Sequence, residues 1–208
     1  MHSTFQPLVV TDNMKKQGEE MKTIYTMMAG LVMAFVATQA SAANIAGVNM
    51  PDQLQYGGKT MVLNGAGIRK KFLMSMYVGG LYLTAKSKDG DAIMKADEPM
   101  SIRLAITSSL ISPAKMKSTT LGGFQRAMGG DTSSLKKEID QLMNSFDKGV
   151  GKGDVYELTN VPGSGVHVLR NGKLVETIRS QQFKQTLFGI WLSKTPVHAG
   201  LRAQLLGL

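Results

Sequence analysis

From Leu63 to Leu83 the chain reads L-N-G-A-G-I-R-K-K-F-L-M-S-M-Y-V-G-G-L-Y-L, and no other stretch limits the possible folds as strongly. Glycine, β-branched residues and aromatics at this density disfavour a helix. The apolar patterning is also too regular for a loop. The segment reads as a glycine-punctuated turn, Gly65-Ala66-Gly67, followed by Arg69 and a long apolar strand region with tyrosines. That order sets a permanent positive charge at the mouth of a strand whose other residues favour burial.

The flanking sequence fills in a sheet. Val48 to Gln55 reads as a lead-in broken at Met50-Pro51-Asp52, and Lys59–Leu63 as a strand after a Gly57-Gly58 turn. Lys88 to Ala96 predicts a short helix with Asp89 and Asp91 near its start. In Met100 to Thr107, Ile102, Leu104 and Ile106 alternate with Ser101, Arg103 and Ala105, the signature of a half-buried strand.

Ser112-Pro113 opens a helix, serine capping and proline at the first position, that runs to about Met128 and stops at Gly129-Gly130. Ser133 to about Lys148 predicts a second, with Leu135, Ile139, Leu142, Met143 and Phe146 on one side. Asp154 to Thr159 reads as a strand. Gly165–Arg170 and Lys173–Ile178 flank Asn171-Gly172, the residue pair that a type I′ hairpin turn requires. Gln181 to Leu192 predicts a helix, and Pro196 opens a last short one through Leu205. Strands, then helices, a hairpin block and further helices argue for an α+β domain, a large antiparallel sheet with helices stacked on it.

The N-terminus reads differently. Met21-Lys22, the apolar run Ile24–Val36 and Ala40-Ser41-Ala42 form a signal peptide with cleavage expected after Ala42. The apolar run is shorter than the roughly 20 residues of a membrane span. Residues 1–20 are a polar extension ahead of it. Gln17-Gly18-Glu19 can be encoded as CAA-GGA-GAA, which contains the ribosome-binding sequence AAGGAG, so Met21 is the expected start and residues 1–20 a translated leader. Residues 43–208 then form one domain, exported to the periplasm or secreted.

That exported chain has no cysteine, so packing alone must hold it. Residues 1–42 carry three lysines and three acids, which leaves the net charge of +9 unchanged on the remainder. The excess favours anionic partners such as acidic ligands and membrane surfaces. Nucleic acid is not indicated, because the basic residues are scattered and aromatics are few. His167 and His198 have no second histidine or cysteine at metal-ligand spacing, and no cofactor is implied. His167 is most simply an outer-face strand residue. Pro162-Gly163-Ser164-Gly165 lies before a hairpin and lacks the strand-to-helix context of a nucleophile elbow. No helix with Gly-Lys-Ser/Thr follows Gly65-Ala66-Gly67, whose glycines suit a tight turn or a close backbone approach instead.

Arg69 is the residue with the sharpest consequence. A guanidinium stays charged and can grip a carboxylate or phenolate through two parallel hydrogen bonds. Turned inward, it needs an anion beside it, from the protein or from a ligand. Turned outward, it is part of a basic rim with Lys70 and Lys71.

Gly65-Ala66-Gly67-Ile68-Arg69, Met76-Tyr77-Val78-Gly79-Gly80-Leu81-Tyr82-Leu83 and Phe188-Gly189-Ile190-Trp191-Leu192 together resemble the chalcone isomerase-like family, from about Asn44 to the end of the chain. The resemblance implies an open-faced sandwich, a large antiparallel sheet with helices on one side. In the family's enzymes the corresponding arginine steadies a phenolate as it adds intramolecularly to close a flavanone ring. In its non-catalytic relatives the arginine and a tyrosine hold a fatty acid in the same cleft, and here that tyrosine is Tyr77, where the enzymes have threonine. Matching the helices places Met116, Gly123 and Ile190 near the enzymes' tyrosine, asparagine and late threonine. Of the polar positions only Arg69 is kept.

The expected function is therefore non-catalytic binding of a small amphipathic anion such as a fatty acid. Arg69 and Tyr77 would hold the head group, with Met74, Met76 and Ile106 along the tail. An isomerase with Arg69 as electrostatic stabiliser and a structural or partner-binding protein with a vestigial cleft are the alternatives. On one straight strand Arg69 and Tyr77 would stand roughly 26 Å apart, so they share a ligand only if the chain folds back between them. Export predicts that intact-mass measurement of the periplasmic or secreted protein finds a chain beginning at Ala43. Recovery of the unprocessed chain alone would contradict it.

Overall fold

Seven strands lie in a single antiparallel sheet, in the order in which they occur along the chain. The computed structural model describes residues 42–208, and the proposed leader and the signal segment up to residue 41 lie outside them. A hairpin of β1 (Ala42–Ile45) and β2 (Val48–Pro51) precedes the sheet. The sheet comprises β3 (Gln53–Tyr56), β4 (Lys59–Lys71), β5 (Met74–Leu83), β6 (Met100–Ile106), β7 (Val155–Val161), β8 (Gly165–Arg170) and β9 (Lys173–Ile178). Consecutive antiparallel pairing keeps each strand beside its neighbours in sequence; the two long connections carry three helices, and two more follow β9.

Helix α1 (Gly90–Lys95) is capped by Asp89, whose carboxylate accepts from the Ala92 amide at 3.0 Å. Helix α2 (Pro113–Ala127) begins at Ser112 as the serine–proline pair predicts. Gly129 and Gly130 both take positive φ just beyond its end. The predicted second helix is α3 (Lys136–Ser145), with a single 3-10 turn at each end. Helix α4 (Gln181–Leu192) is capped by Ser180. The last helix, α5 (Ala199–Leu206), starts later than Pro196 predicts, because the His198 ring accepts from the Leu201 amide and takes the capping role. Asn171 and Gly172 both have positive φ between β8 and β9, as the predicted turn demands.

The main core lies between one face of the sheet and the helices. Leu81, Ile102, Leu104, Ile106, Leu158, Val166 and Val168 meet Phe124, Leu142, Phe183, Leu187 and Phe188 there. Burying each such side chain contributes about 1.5–3 kcal/mol. The second half of α4, Leu187–Leu192, is buried throughout, and the helix packs against α1 and α2.

The opposite face is concave. The Tyr56 hydroxyl on β3 meets the His167 ring on β8 at 2.8 Å. Five strand spacings would separate these strands by about 24 Å in a flat sheet. His167 lies on the face predicted for it, but it is engaged there, since its other ring nitrogen meets Ser164 at 2.7 Å. A smaller core of Met50, Met61, Val78 and Tyr82 fills part of this face beneath the β1–β2 hairpin.

One cation sits inside the helical layer. Lys184 on α4 is fully buried, and its ammonium donates to the carbonyls of Ile93, Met94 and Ala96 at the C-terminal end of α1. The α1 dipole and its unpaired carbonyls favour a positive charge there. Burial pulls the ammonium down to about 8, while Asp97 and Glu98 oppose that shift. Lys184→Met would leave those carbonyls without a donor, an expected loss of roughly 1–3 kcal/mol in denaturant unfolding. Between pH 8 and 10.5 the unfolded chain holds the lysine proton more tightly than the folded one. Wild-type stability should therefore rise with pH across that window relative to the variant.

Candidate functional site

The chain folds back where the sequence gives little sign of it. Gly65-Ala66-Gly67 is not a turn but the middle of β4, and the reversal falls at Phe72-Leu73, with Phe72 at φ 54°. Arg69 and Tyr77 thus pair directly across the β4–β5 hairpin, which puts their Cβ atoms about 5 Å apart.

Two register breaks aim them. The first leaves Asn64 unpaired between Leu63 and Gly65. Its amide donates to the Ser87 and Leu205 carbonyls at 2.9 and 2.8 Å, and its oxygen accepts from the Ser87 amide at 2.8 Å. Met61 and Leu63 face the small core before the bulge, and Ala66 and Ile68 face it after. Gly65, Gly67 and Arg69 are thereby sent to the helix side. The second break, between Arg69 and Lys70, leaves Met76 as the extra residue on β5. The Met76 carbonyl accepts from the Thr107 and Ser108 amides, and both Met76 and Tyr77 line the cleft. Re-aiming a side chain in this way is the usual work of a bulge.

The glycines of β4 let α5 lie against the strand. A Cβ at Gly65 would stand 2.2 Å from the Gln204 carbonyl oxygen, and one at Gly67 would overlap the Gln204 side chain. The close-approach reading of these glycines holds, and the turn reading does not. At Gly123 a Cβ would come within 2.9 Å of Ile190, so that glycine seats α2 on α4.

The cleft opens between β4–β5, α2 and α4. Its enclosed cavity is about 60 Å3, so it is a narrow slot. Met76, Leu104, Met116, Leu187 and Ile190 form apolar walls, and Arg69, Lys71 and Lys115 line it as cations. Of the residues expected along the tail, Met76 lines the slot. Ile106 is in the core but does not line it, and Met74 is 45% exposed beside the hairpin tip. Met116 and Ile190, standing where the enzymes' polar groups are expected, are part of the apolar wall.

Arg69 is half-buried, and its guanidinium donates to the Lys70 carbonyl. Among the described residues no carboxylate forms an ion pair with it, and none lines the slot. Trp191 donates its indole N–H to the Tyr77 hydroxyl at 2.9 Å, so Tyr77 accepts there and keeps its own O–H to donate. Burial raises the Tyr77 pKa, against the smaller opposing effects of Trp191 and Arg69, so the phenol stays protonated at neutral pH. Burial and the nearby Arg69 lower the pKa of His198 at the start of α5, so it is neutral there. Arg69 and Tyr77 thus each bring a donor to the head of the slot. The sequence contained Trp191 but no sign of this bond, which joins residues 114 positions apart.

No group of three or more histidine, cysteine or acidic residues among the described residues has the arrangement of a metal site. No helix among them is long and apolar enough to cross a membrane.

Residues 42–207 match the family described as chalcone isomerase-like, and the chain belongs to that family. Among solved structures it is similar to a fatty-acid binding protein of Arabidopsis thaliana, with a TM-score of 0.66 and 18% identity over 80% of this chain and 96% of that one. At that identity the likeness establishes the fold, an α+β sandwich with helices on one side of the sheet. No curated protein matches the chain significantly.

The contacts at two glycines predict opposite effects for the same substitution. Gly65→Ala forces α5 off β4 and should destabilise by roughly 1–3 kcal/mol. Gly122, on α2 with nothing within 4 Å of its would-be Cβ, should gain about 0.5–1 kcal/mol as alanine. Denaturant unfolding of the two variants reads both signs.

Proposed function

We propose that this protein binds a fatty acid or a similar amphipathic carboxylate without transforming it. The observation that carries the reading is the Arg69 guanidinium, which has no carboxylate partner among the described residues, beside the Tyr77 hydroxyl, whose O–H remains to donate, at the head of an apolar slot that no described carboxylate lines. A carboxylate offers acceptors only, and Arg69 and Tyr77 each have a donor to give it. The narrowness of the slot favours an alkyl chain over a fused ring system. Met76 and Met116 are the residues best able to move aside for it, being unbranched and flexible. The similar fatty-acid binding structure agrees with this chemistry. The signal-like sequence of residues 21–42 places the protein outside the cytoplasm in the same proposal.

The apolar character of Met116 and Ile190 weighs against an isomerase, because neither can orient a phenol or a water. Turnover of a chalcone analogue that is lost in Arg69→Ala would reverse that judgement.

Trp191 is the chain's single tryptophan and lines the slot, so it reports occupancy without a label. A bromine-substituted fatty acid should quench its fluorescence saturably. Arg69→Ala should weaken binding about 10- to 100-fold through loss of charge-assisted hydrogen bonds, and Tyr77→Phe should weaken it less. Native mass spectrometry of the purified protein should show an acyl chain bound or retained. Absence of both quenching and retention would remove the proposal.

A further inference from the structure

The β4–β5 hairpin ends in Lys70-Lys71-Phe72-Leu73-Met74. Phe72 is 85% exposed and Leu73 is 99% exposed, the two most exposed large apolar side chains among the described residues. A two-residue turn has no need of them, and the non-glycine positive φ at Phe72 would be better served by asparagine or glycine. Leu110 is a further exposed apolar residue, in the connection between β6 and α2. That connection is held to the hairpin, since the Thr107 hydroxyl donates to the Ser75 carbonyl at 3.3 Å and the Ser108 amide to the Met76 carbonyl.

Basic residues stand on the same hairpin and at the facing start of α2. Lys71 and Lys115 line the mouth of the slot, and Lys70 is exposed next to the tip. The sequence holds no acid between Asp52 and Asp89, nor between Glu98 and Asp131, and these two segments supply the hairpin and the facing start of α2. An exposed aromatic–aliphatic tip flanked by lysines fits a surface that is apolar beneath an anionic layer. A protein partner would have to supply both a socket for Phe72-Leu73 and a matching acidic rim, whereas an anionic bilayer supplies both through its own layering.

We propose that the β4–β5 tip docks on anionic lipid bilayers, with Phe72 and Leu73 inserted among the acyl chains and Lys70, Lys71 and Lys115 at the headgroup phosphates. Docking there would turn the mouth of the slot toward the bilayer. Its use as a route for ligand from membrane to slot rests on the fatty-acid reading, whereas docking itself does not.

The chain from Ala43 onward, the expected exported form, suits the test, because the apolar Ile24–Val36 run cannot then partition by itself. It should co-sediment with phosphatidylglycerol-containing vesicles. On pure phosphatidylcholine, or in 0.5 M salt, association should fall by about tenfold or more, because each lysine's attraction is lost or screened. Phe72→Asn combined with Leu73→Ser should reduce association with the anionic vesicles by at least about tenfold. The same double variant should keep the wild-type melting temperature and the wild-type quenching by brominated fatty acid in solution. Lys70→Glu, which leaves the slot lining untouched, should weaken vesicle association alone. Failure of the wild type to co-sediment would overturn docking, as would a double variant that binds vesicles like the wild type. Vesicle binding lost in the tip variants with no quenching in any protein would leave docking standing and remove the fatty-acid reading. Tip-dependent self-association in place of vesicle binding would assign the surface to a second copy of the chain and likewise overturn docking.

Discussion

A cation without a counter-charge has to be held in place by the backbone, and here the pairing of β4 with β5 does that work. In an unbroken ladder Arg69 would share the parity of Met61 and Leu63 and face the smaller core. The bulge at Asn64 reverses that parity, and its side chain is bonded to the connection after β5 and to the end of α5. The bulge at Met76 makes the complementary adjustment on the other strand. The head of the slot thus depends on two single-residue irregularities, each anchored by hydrogen bonds to neighbouring segments. Gly65 and Gly67 extend the arrangement by admitting α5 against the strand just before Arg69.

The chemistry follows from what is missing around that cation. An arginine near apolar side chains would ordinarily be matched by aspartate or glutamate, since an unmatched one is costly. Here the nearest engaged groups are a backbone carbonyl and a protonated phenol. Trp191 fixes the phenol in the accepting direction, which leaves its proton to point elsewhere. In the proposed reading, the arrangement would stabilise an external anion more than the empty protein. That is the expected economy of a binding site that sacrifices some stability for affinity.

Much of the architecture was legible because it rests on short-range rules. Ser112-Pro113, Asn171-Gly172 and the alternation in β6 each state their local conformation, and their order implies an antiparallel sheet with helices on one side. The convergence of Arg69 and Tyr77 was legible only as a condition, that the chain fold back between them. It does so at Phe72, an aromatic residue in a conformation that asparagine or glycine usually marks, so residue type gave no signal. Bulges are equally silent, since one extra residue leaves composition unchanged while reversing every side chain beyond it. Met74 could reach the slot only on one unbroken strand, and the turn carries it to the hairpin tip instead. The bond from Trp191 to Tyr77 depends on how α4 crosses the sheet, which no local pattern encodes.

The two walls of the slot differ in how firmly they are moored. The wall formed by α4 is tied at its first half by an ammonium caged in the carbonyls that end α1, and at its second half by Ile190 resting against Gly123. The facing wall is a two-stranded finger whose outer end, Phe72 and Leu73, is highly exposed. Any widening to admit an occupant should therefore fall unequally, with the finger and its methionine yielding while the helix stays as a fixed reference against which the occupant's head is aligned.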